Sequence, residues 1–475
     1  MHVAFWGETD MIISKLEIKR LYGMYDYCLS FFDDLTLLYG ENGCGKTTVL
    51  DIVTSIVTGR IYNLTAYQFE QIKLYYKENK RSKTFQISII SDDLSYEIDI
   101  DTSSGKIHES ISDINSLTEE YDRDRDESAF ERKYYSQYRI SDYLRKAFNY
   151  IYLPLSRESQ EGFENSDLSY YRRISRRYSE RDILNKSYLN TSLRFVEEMI
   201  RSSRMRINAG ENRINARFRS SIFTSSLKVV DYNTTNISNL LKRTRDKNVL
   251  RSIENSKAEY IRTLKSIGEW NEDMEVQVSA FFEKYVEAFR KVQNQEGEKG
   301  TNTITVDFLL MDMEFNRIKE IAAQAQQIET EKKTLNEPID SFLAIVNGFF
   351  SIGDDKKSIM IDSEGRIIIQ SEIPNRTLSI YNLSSGEKQI IIIFARLIFG
   401  LNSHEHGIYI IDEPEASLHL AWQKRFVESV QKVDNTIQLI FATHSPEIIG
   451  KNSNRMVKLT RKINLPIDNQ QEGEK

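Results

Sequence analysis

The run Gly40-Glu41-Asn42-Gly43-Cys44-Gly45-Lys46-Thr47 constrains this chain more than any other feature, because it satisfies the phosphate-loop pattern G-x-x-x-x-G-K-[ST] at every fixed position. Residues 35–39 before it form an apolar run of strand length, and residues 48–53 after it read as the first turns of a helix. Glycines let successive backbone N–H groups turn toward phosphates, and the helix N-terminus adds partial positive charge. In that setting Lys46 would reach the β- and γ-phosphates of a nucleotide and Thr47 would ligate Mg²⁺. Gly40, Asn42, Gly43, Cys44, Gly45 and Thr48 would complete the cradle.

Three further elements stand in fixed order near the other end. Leu383-Ser384-Ser385-Gly386-Glu387 is followed by the apolar run Ile408-Tyr409-Ile410-Ile411, which ends in Asp412-Glu413-Pro414-Glu415, and then by Phe441-Ala442-Thr443-His444-Ser445. Asp412, at the end of a buried strand, would hold the Mg²⁺ hydration shell. Glu413 beside it is placed to orient or deprotonate an attacking water. His444, also just past a strand, would contact a γ-phosphate. Ser384, Ser385, Gly386 and Glu387 open a helix, whose hydroxyls, N–H groups and dipole suit an anion.

Together these motifs resemble the ATP-binding-cassette ATPases, in the branch that contains the SMC, RecF and OLD-like ATPases. Leu383–Glu387 is similar to the cassette's own motif, Asp412-Glu413 to its catalytic pair, Ser417-Leu418-His419 to the D-loop and His444 to the switch histidine. The resemblance implies an α/β head, with a parallel sheet around the phosphate loop and an antiparallel lobe. It implies ATP and Mg²⁺ as ligands, and two heads sandwiching two ATPs, so that Ser384, Ser385 and Gly386 of one subunit meet the nucleotide held by Lys46 of the other. The Q-loop role is open between Arg157 and Gln160. Lys19 or Arg20 would stand near the nucleotide, or else be surface charges on an edge strand.

Lys46 and Ser384 are 338 positions apart, far more than in the nucleotide-binding subunits of transporters. Residues 84–90 and 95–100 alternate with period two, as paired strands do. From about Asp167 the chain turns to charged stretches of helical spacing, drawn as helices over 194–223, 248–270, 274–295 and 305–345, and strands return at 357–362 and 366–370. The expected organisation is therefore a first ATPase lobe over 11–165, a helical insertion over 166–334 and a second lobe over 335–465. With no sustained heptad repeat, the insertion is expected to be a compact bundle or short hairpin.

Charge is uneven along the insertion. From Arg172 to Arg219 thirteen basic residues face five acidic ones, a balance of +8 in a chain of net −6. Such a stretch suits an acidic protein trigger or DNA, or is a solvated face with internal Glu–Arg pairs. Tyr170, Tyr171 and Tyr178 lie among these arginines, as packing residues or as platforms for bases.

Composition excludes several classes. The longest apolar run, 390–401, is broken by Arg396 and is too short to cross a bilayer, and the N-terminus has no secretory pattern. A cytoplasmic protein without a membrane partner is expected. Cys28 and Cys44 are the only two cysteines, which leaves no disulfide framework. No nuclease constellation follows His444. The layout resembles ATPase subunits of bacterial antiphage systems such as PARIS and Septu, which implies a homo-oligomer that senses infection and controls a separate effector, expected to be a nuclease. A DNA repair or chromosome-maintenance ATPase that clamps DNA is the alternative.

Overall fold

In the computed structural model, the described strands form three sheets. The structure describes residues 11–78, 81–92, 95–114, 127–154, 188–227, 240, 242–244, 249–266, 271–294, 304–352, 356–372, 375–400, 407–433 and 437–463. Strands β1 (Ile12–Leu21), β2 (Tyr25–Ser30) and β3 (Leu35–Tyr39) precede helix α1 (Lys46–Val57). Next come β4 (Gln71–Lys77), β5 (Thr84–Asp92), β6 (Ser95–Thr102) and β7 (Gly105–Ser112), then helices α2 (Glu127–Gln137) and α3 (Arg139–Ala147) and strand β8 (Tyr150–Pro154). Among the described residues the middle of the chain carries helices α4 (Tyr188–Ser226), α5 (Val249–Ser266), α6 (Glu272–Asn294) and α7 (Val306–Phe350). The last part carries β9 (Lys357–Ile361), β10 (Ile367–Glu372), β11 (Asn375–Leu378), α8 (Ser385–Phe399), β12 (Ile408–Asp412), α9 (Leu420–Val433), β13 (Gln438–Thr443), α10 (Pro446–Ile449), β14 (Met456–Lys458) and β15 (Lys462–Ile463).

The five-stranded sheet, in the order β14-β3-β13-β12-β8, is parallel throughout. Its central strands β12 and β13 are buried at every position. That follows from sequences rich in Ile, Leu and Phe, with no polar face to turn to water. Alternate residues of β12 feed two cores: Ile408 and Ile410 join the core around β1 and α1, while Tyr409 and Ile411 join the core around α8 and α9. The same strands bring Tyr39, Asp412 and Thr443 to one edge of the sheet, since Thr443 pairs with Tyr39 and Asp412 with Ala442. That edge is the carboxyl end of the strands, where open α/β sheets bind their ligands.

The antiparallel sheet runs β15-β2-β1-β4-β5-β6-β7, and β4 to β7 form a meander. It is tied to the parallel sheet by a buried amide. Gln438 Oε1 accepts from Ile13 N–H at 2.9 Å, while its Nε2 donates to the carbonyls of Ile13 at 2.7 Å and Phe32 at 2.9 Å. One side chain thus saturates three backbone groups at the start of β13. A small sheet, β11-β10-β9, stands beside α8's sequence. The architecture is α/β, with a parallel sheet around the glycine-rich loop, an antiparallel lobe and a large helical insertion.

The chain divides into two units, residues 1–203 with 341–475 and residues 204–340. Within the second, α4 and α7 run antiparallel: Arg204 Nη1 donates to Asn336 at 2.9 Å, Arg217 pairs with Glu331, and Ser221 Oγ donates to Gln324 at 2.8 Å. Phe218 packs with Ala325 and Ile328 between them. Helices α5 and α6 pack on the N-terminal part of α7 through an aromatic core in which Tyr285 and Phe315 stack at 4.5 Å. Asp312 is buried there because Tyr285 (2.6 Å), Asn316 (3.0 Å) and Arg243 (3.2 Å) satisfy its carboxylate. The two long helices have 39 and 45 residues, and α7 continues through Pro338 to Phe350 rather than ending near 345. The insertion is therefore a longer helical hairpin than its missing heptad repeat suggested, held by side-chain pairs spread along it. Of the basic stretch, Arg194 to Arg219 lie on α4; Arg172 to Lys186, the three tyrosines among them, Arg157 and Gln160 lie outside the described residues.

Candidate ATP site

The phosphate loop leaves β3 at Gly40 and enters α1 at Lys46. Gly45 caps the helix at φ 98°, a left-handed conformation, and a Cβ there would stand 2.8 Å from the Tyr27 hydroxyl. Only glycine fits both conditions. The loop is pinned from outside: the carbonyl of Cys44 accepts from Tyr27 Oη at 3.0 Å and from Arg461 Nε at 3.1 Å, and the Arg461 guanidinium lies over the Tyr25 ring at 4.8 Å. Neither Tyr27 nor Arg461 is marked by a motif.

Lys46 is 6% exposed. Its ammonium donates to the carbonyls of Gly40 at 3.1 Å and Glu41 at 3.3 Å, and to His444 Nε2. Thr47 Oγ1 donates to Asp412 Oδ2 at 2.9 Å, across 365 positions of sequence. The other oxygen, Asp412 Oδ1, is buried without a hydrogen-bond partner. Burial pushes the Asp412 carboxyl up to about 6, with Glu413 and Asp51 adding to the shift and Thr47 and Lys46 opposing it. A divalent cation would reverse that balance. A hydroxyl beside an unsatisfied carboxylate oxygen is the hard-oxygen donor set that Mg²⁺ takes, so the residues present fit it.

Glu413 has φ 51°, in the left-handed region that side chains other than glycine rarely occupy. Its N–H donates to the Ala442 carbonyl at 2.9 Å, bridging the ends of β12 and β13. Strain of this kind, on the order of 1 kcal/mol or more, persists where surrounding structure fixes the backbone, commonly at functional sites. Behind the loop, Asp51 of α1 accepts from Tyr152 at 2.9 Å and Tyr67 at 3.2 Å; burial raises its pKa, and those two hydroxyls oppose the rise.

A second carboxylate organises the switch segment. Glu415 Oε1 accepts from the backbone N–H of His444 at 2.6 Å and of Ser445 at 3.1 Å. Ser445 Oγ donates to Gln423 Oε1 at 2.7 Å, and Gln423 Nε2 donates to the Leu418 carbonyl at 2.8 Å. The turn after β12, the start of α9 and the segment after β13 are thus one hydrogen-bonded unit.

The helix-opening motif is built differently. Ser384 caps α8 in a reciprocal box with Glu387: Ser384 N–H donates to Glu387 Oε2 at 2.8 Å, and Glu387 N–H donates to Ser384 Oγ at 3.4 Å. Glu387 Oε1 is held by Lys357 at 2.8 Å. Burial opposes ionisation of Glu387, but Lys357 and Ser384 outweigh it and keep the carboxyl below its ordinary value. The Glu387 carboxylate is therefore engaged inside the fold rather than presented to a ligand. Ser384 and Ser385 are exposed, and Gly386 is buried where a Cβ would stand 2.5 Å from the Ser417 carbonyl.

Lys46, Thr47, Asp412 and His444 are joined directly, while Ser384 and Glu387 make their polar contacts within α8's first turn and with Lys357. Arg20 pairs with Glu70 at 3.3 Å and is largely exposed, as a surface charge would be, and Lys19 is also exposed. No described helix is long and apolar enough to cross a membrane.

A family model described as an AAA ATPase domain matches residues 11–449. The probable ATPase of retron Vc95 from Vibrio cholerae serotype O1 biovar El Tor is 33% identical over 95 residues, 18% of each chain. The probable ATPase of retron Ec83 from Escherichia coli is 26% identical over 163 residues, 29% of this chain and 30% of that one. The chain thus spans less than a third of the length of these relatives. Among solved structures, an SMC head bound to the C-terminal winged-helix domain of ScpA aligns at 11% identity with a TM-score of 0.40, covering 96% of this chain and 98% of that one. The Pyrococcus furiosus Smc head with an extended coiled coil, bound to the C-terminal domain of ScpA, aligns at 12% identity with a TM-score of 0.38, covering 96% of each. With a family match running from the first strand through the switch segment, over a site that joins Lys46, Thr47, Asp412 and His444, the chain belongs to the AAA ATPase domain family.

Proposed function

We propose that this ATPase is the sensor and regulator of a separate toxic effector in bacterial antiphage defence, and that it closes two heads around ATP. The observation carrying the two-head reading is the division of the motifs. One group is gathered around Lys46, whereas Ser385 stands exposed at the opening of α8 with Ser384 and Glu387 bonded away from that group. A second subunit would bring the serines and N–H groups of its α8 to the nucleotide. The retron ATPase relatives support the defence reading, and a nuclease is the effector it implies.

In hydrolysis Lys46 exchanges its contacts with Gly40, Glu41 and His444 for phosphate oxygens. Thr47 and Asp412 would hold Mg²⁺, which neutralises phosphate charge when bound. Glu413 takes a proton from water or orients it, and His444 stands ready for the γ-phosphate, fixed through its backbone by Glu415. Closure switches a partner only if that partner binds open and closed heads with different affinity.

Glu413→Gln should bind ATP without turning it over, and Lys46→Ala should fail to bind it; full turnover by Glu413→Gln would remove Glu413 from the base role. For the regulatory role, the ATPase expressed alone should be harmless, and expressed with the product of a neighbouring gene it should become toxic on infection. Nucleic-acid cleavage by the purified ATPase alone would overturn that division of labour.

A further inference from the structure

The outer face of α4 carries a stripe that the described residues of its own unit leave open. Met205, Ala209, Ala216 and Phe223 recur along it, Leu227 continues it in the turn just past the helix, and Asn212 and Arg219 fill the steps between, giving spacings of 4, 3, 4, 3, 4 and 4. Such spacing keeps all seven side chains within an arc of about 80° over roughly 33 Å of helix. All are exposed, Met205 by 62%, Phe223 by 72% and Leu227 by 83%. The opposite face, with Ile214 and Phe218, is the one packed on α7. Exposed large apolar side chains at both ends of the stripe, with two alanines between them, offer an interaction surface.

The charges around the stripe have one sign. Arg206 and Arg213, seven residues apart, flank it on one side, and Arg219 lies within it. None has an acidic partner among the described residues; Arg213 Nε donates only to the Ala209 carbonyl, at 3.4 Å. By contrast Arg217, nearer α7, pairs with Glu331, and Glu211, the one acid of this stretch, is bonded to Asn336. Arg217 and Glu211 thus find polar partners on α7, whereas the three outward arginines have no acidic one among the described residues.

We propose that this face docks an amphipathic helix of another polypeptide, apolar along one stripe and flanked by Asp and Glu. A second copy of this chain fits poorly, because pairing the face with itself sets Arg219 against Arg219 or Arg213, a like-charge contact along the seam. A nucleic-acid backbone would neutralise the arginines but leave Phe223 and Leu227 uncovered. The acidic helix satisfies both halves of the surface. This surface is independent of the effector role above, and its loss would leave that role to be tested on its own.

The test uses the full chain and two fluorescent peptides of about 24 residues, enough to follow the stripe. Both carry leucines at heptad spacing, one with Glu on its flanks and the other with Lys. The acidic peptide should bind, and the basic one should not. Arg206→Glu, Arg213→Glu and Arg219→Glu together should weaken the acidic peptide at least about tenfold and transfer binding to the basic one. Phe223→Asp should also weaken it, with helical circular dichroism and ATP hydrolysis unchanged. Equal binding of both peptides by the unaltered chain, or binding of neither, overturns the proposal without recourse to any variant. Binding of short duplex DNA abolished by the arginine substitutions would assign the face to nucleic acid instead. Self-association broken by Phe223→Asp would assign it to a second copy.

Discussion

Lys46 Nζ rests against His444 Nε2, joining the phosphate loop to the segment after β13 across 398 positions of sequence. An ammonium only donates, so the imidazole nitrogen accepts, and the lysine that would grip phosphate is satisfied within the protein by this ring and two carbonyls. Nucleotide entry must replace all three contacts. His444→Ala removes one of them and also removes the ring from the γ-phosphate side. We expect nucleotide affinity within about threefold of the unaltered chain and turnover lower by roughly 10²-fold. Titration calorimetry and steady-state kinetics separate the two, and unchanged turnover would take His444 out of the reaction.

The two-head reading predicts complementation. Lys46→Ala chains and Ser385→Arg chains should each be inactive, the first for lack of a phosphate grip and the second because a guanidinium crowds the opening of α8. Mixed, they should recover part of the activity, because a mixed dimer has one intact composite site. Tagged tandem purification identifies the mixed species; absence of ATP hydrolysis in it would contradict catalysis across subunits.

Glu415 is expected to act on the reaction through the backbone it holds. Glu415→Ala leaves the N–H of His444 without its acceptor and that of Ser445 with Thr443 Oγ1 alone, at 3.0 Å, and loosens the segment that carries the imidazole. Turnover should fall by about tenfold or more while the Michaelis constant changes little. Glu415→Gln retains an acceptor oxygen and should recover much of the rate. Equal loss in both variants would show that charge, not placement, is what Glu415 contributes.

Much of this site is legible in the sequence, because each motif is a short run placed at the end of an apolar strand. Residues 35–39, 408–411 and 437–441 read as strands from their own side chains, and the chemistry follows within three residues of each. What is not legible acts at long range. Arg461 reaches the Cys44 carbonyl from 417 positions away, and Gln438 binds Ile13 from 425. Each reads locally as an ordinary polar residue, and only the fold supplies its partner. Glu387 shows the converse. Its place in a conspicuous motif pointed to a ligand, yet a serine three residues earlier and Lys357 on β9 turn its carboxylate into a helix cap. The stripe on α4 escaped notice because its central positions are Ala, Asn and Arg, too polar to register as a heptad.

The Glu387 cap gives a pH prediction. Its carboxyl lies below the ordinary value in the folded protein, so its stabilisation is complete above the unfolded value near 4.5 and is lost as pH falls through the folded one. Glu387→Gln should cost about 1–2 kcal/mol at pH 7, from the weakened cap and the unpaired Lys357. That gap should narrow below about pH 4.5 as the native carboxylate takes up its proton. Urea unfolding at neutral and acid pH measures both; a gap independent of pH would mean the carboxylate's charge contributes nothing.

Gly386 has a consequence for how information passes through the head. With a hydrogen where other residues have a methylene, its Cα sits directly on the Ser417 carbonyl, and no flexible side chain lies between the helix opening and the turn that follows Glu413. A contact without slack transmits displacement instead of absorbing it. In the two-head reading proposed above, the surface offered to a neighbouring subunit and the end of β12 that serves this subunit's own nucleotide would mesh like two teeth of one gear, an event at either being felt at the other.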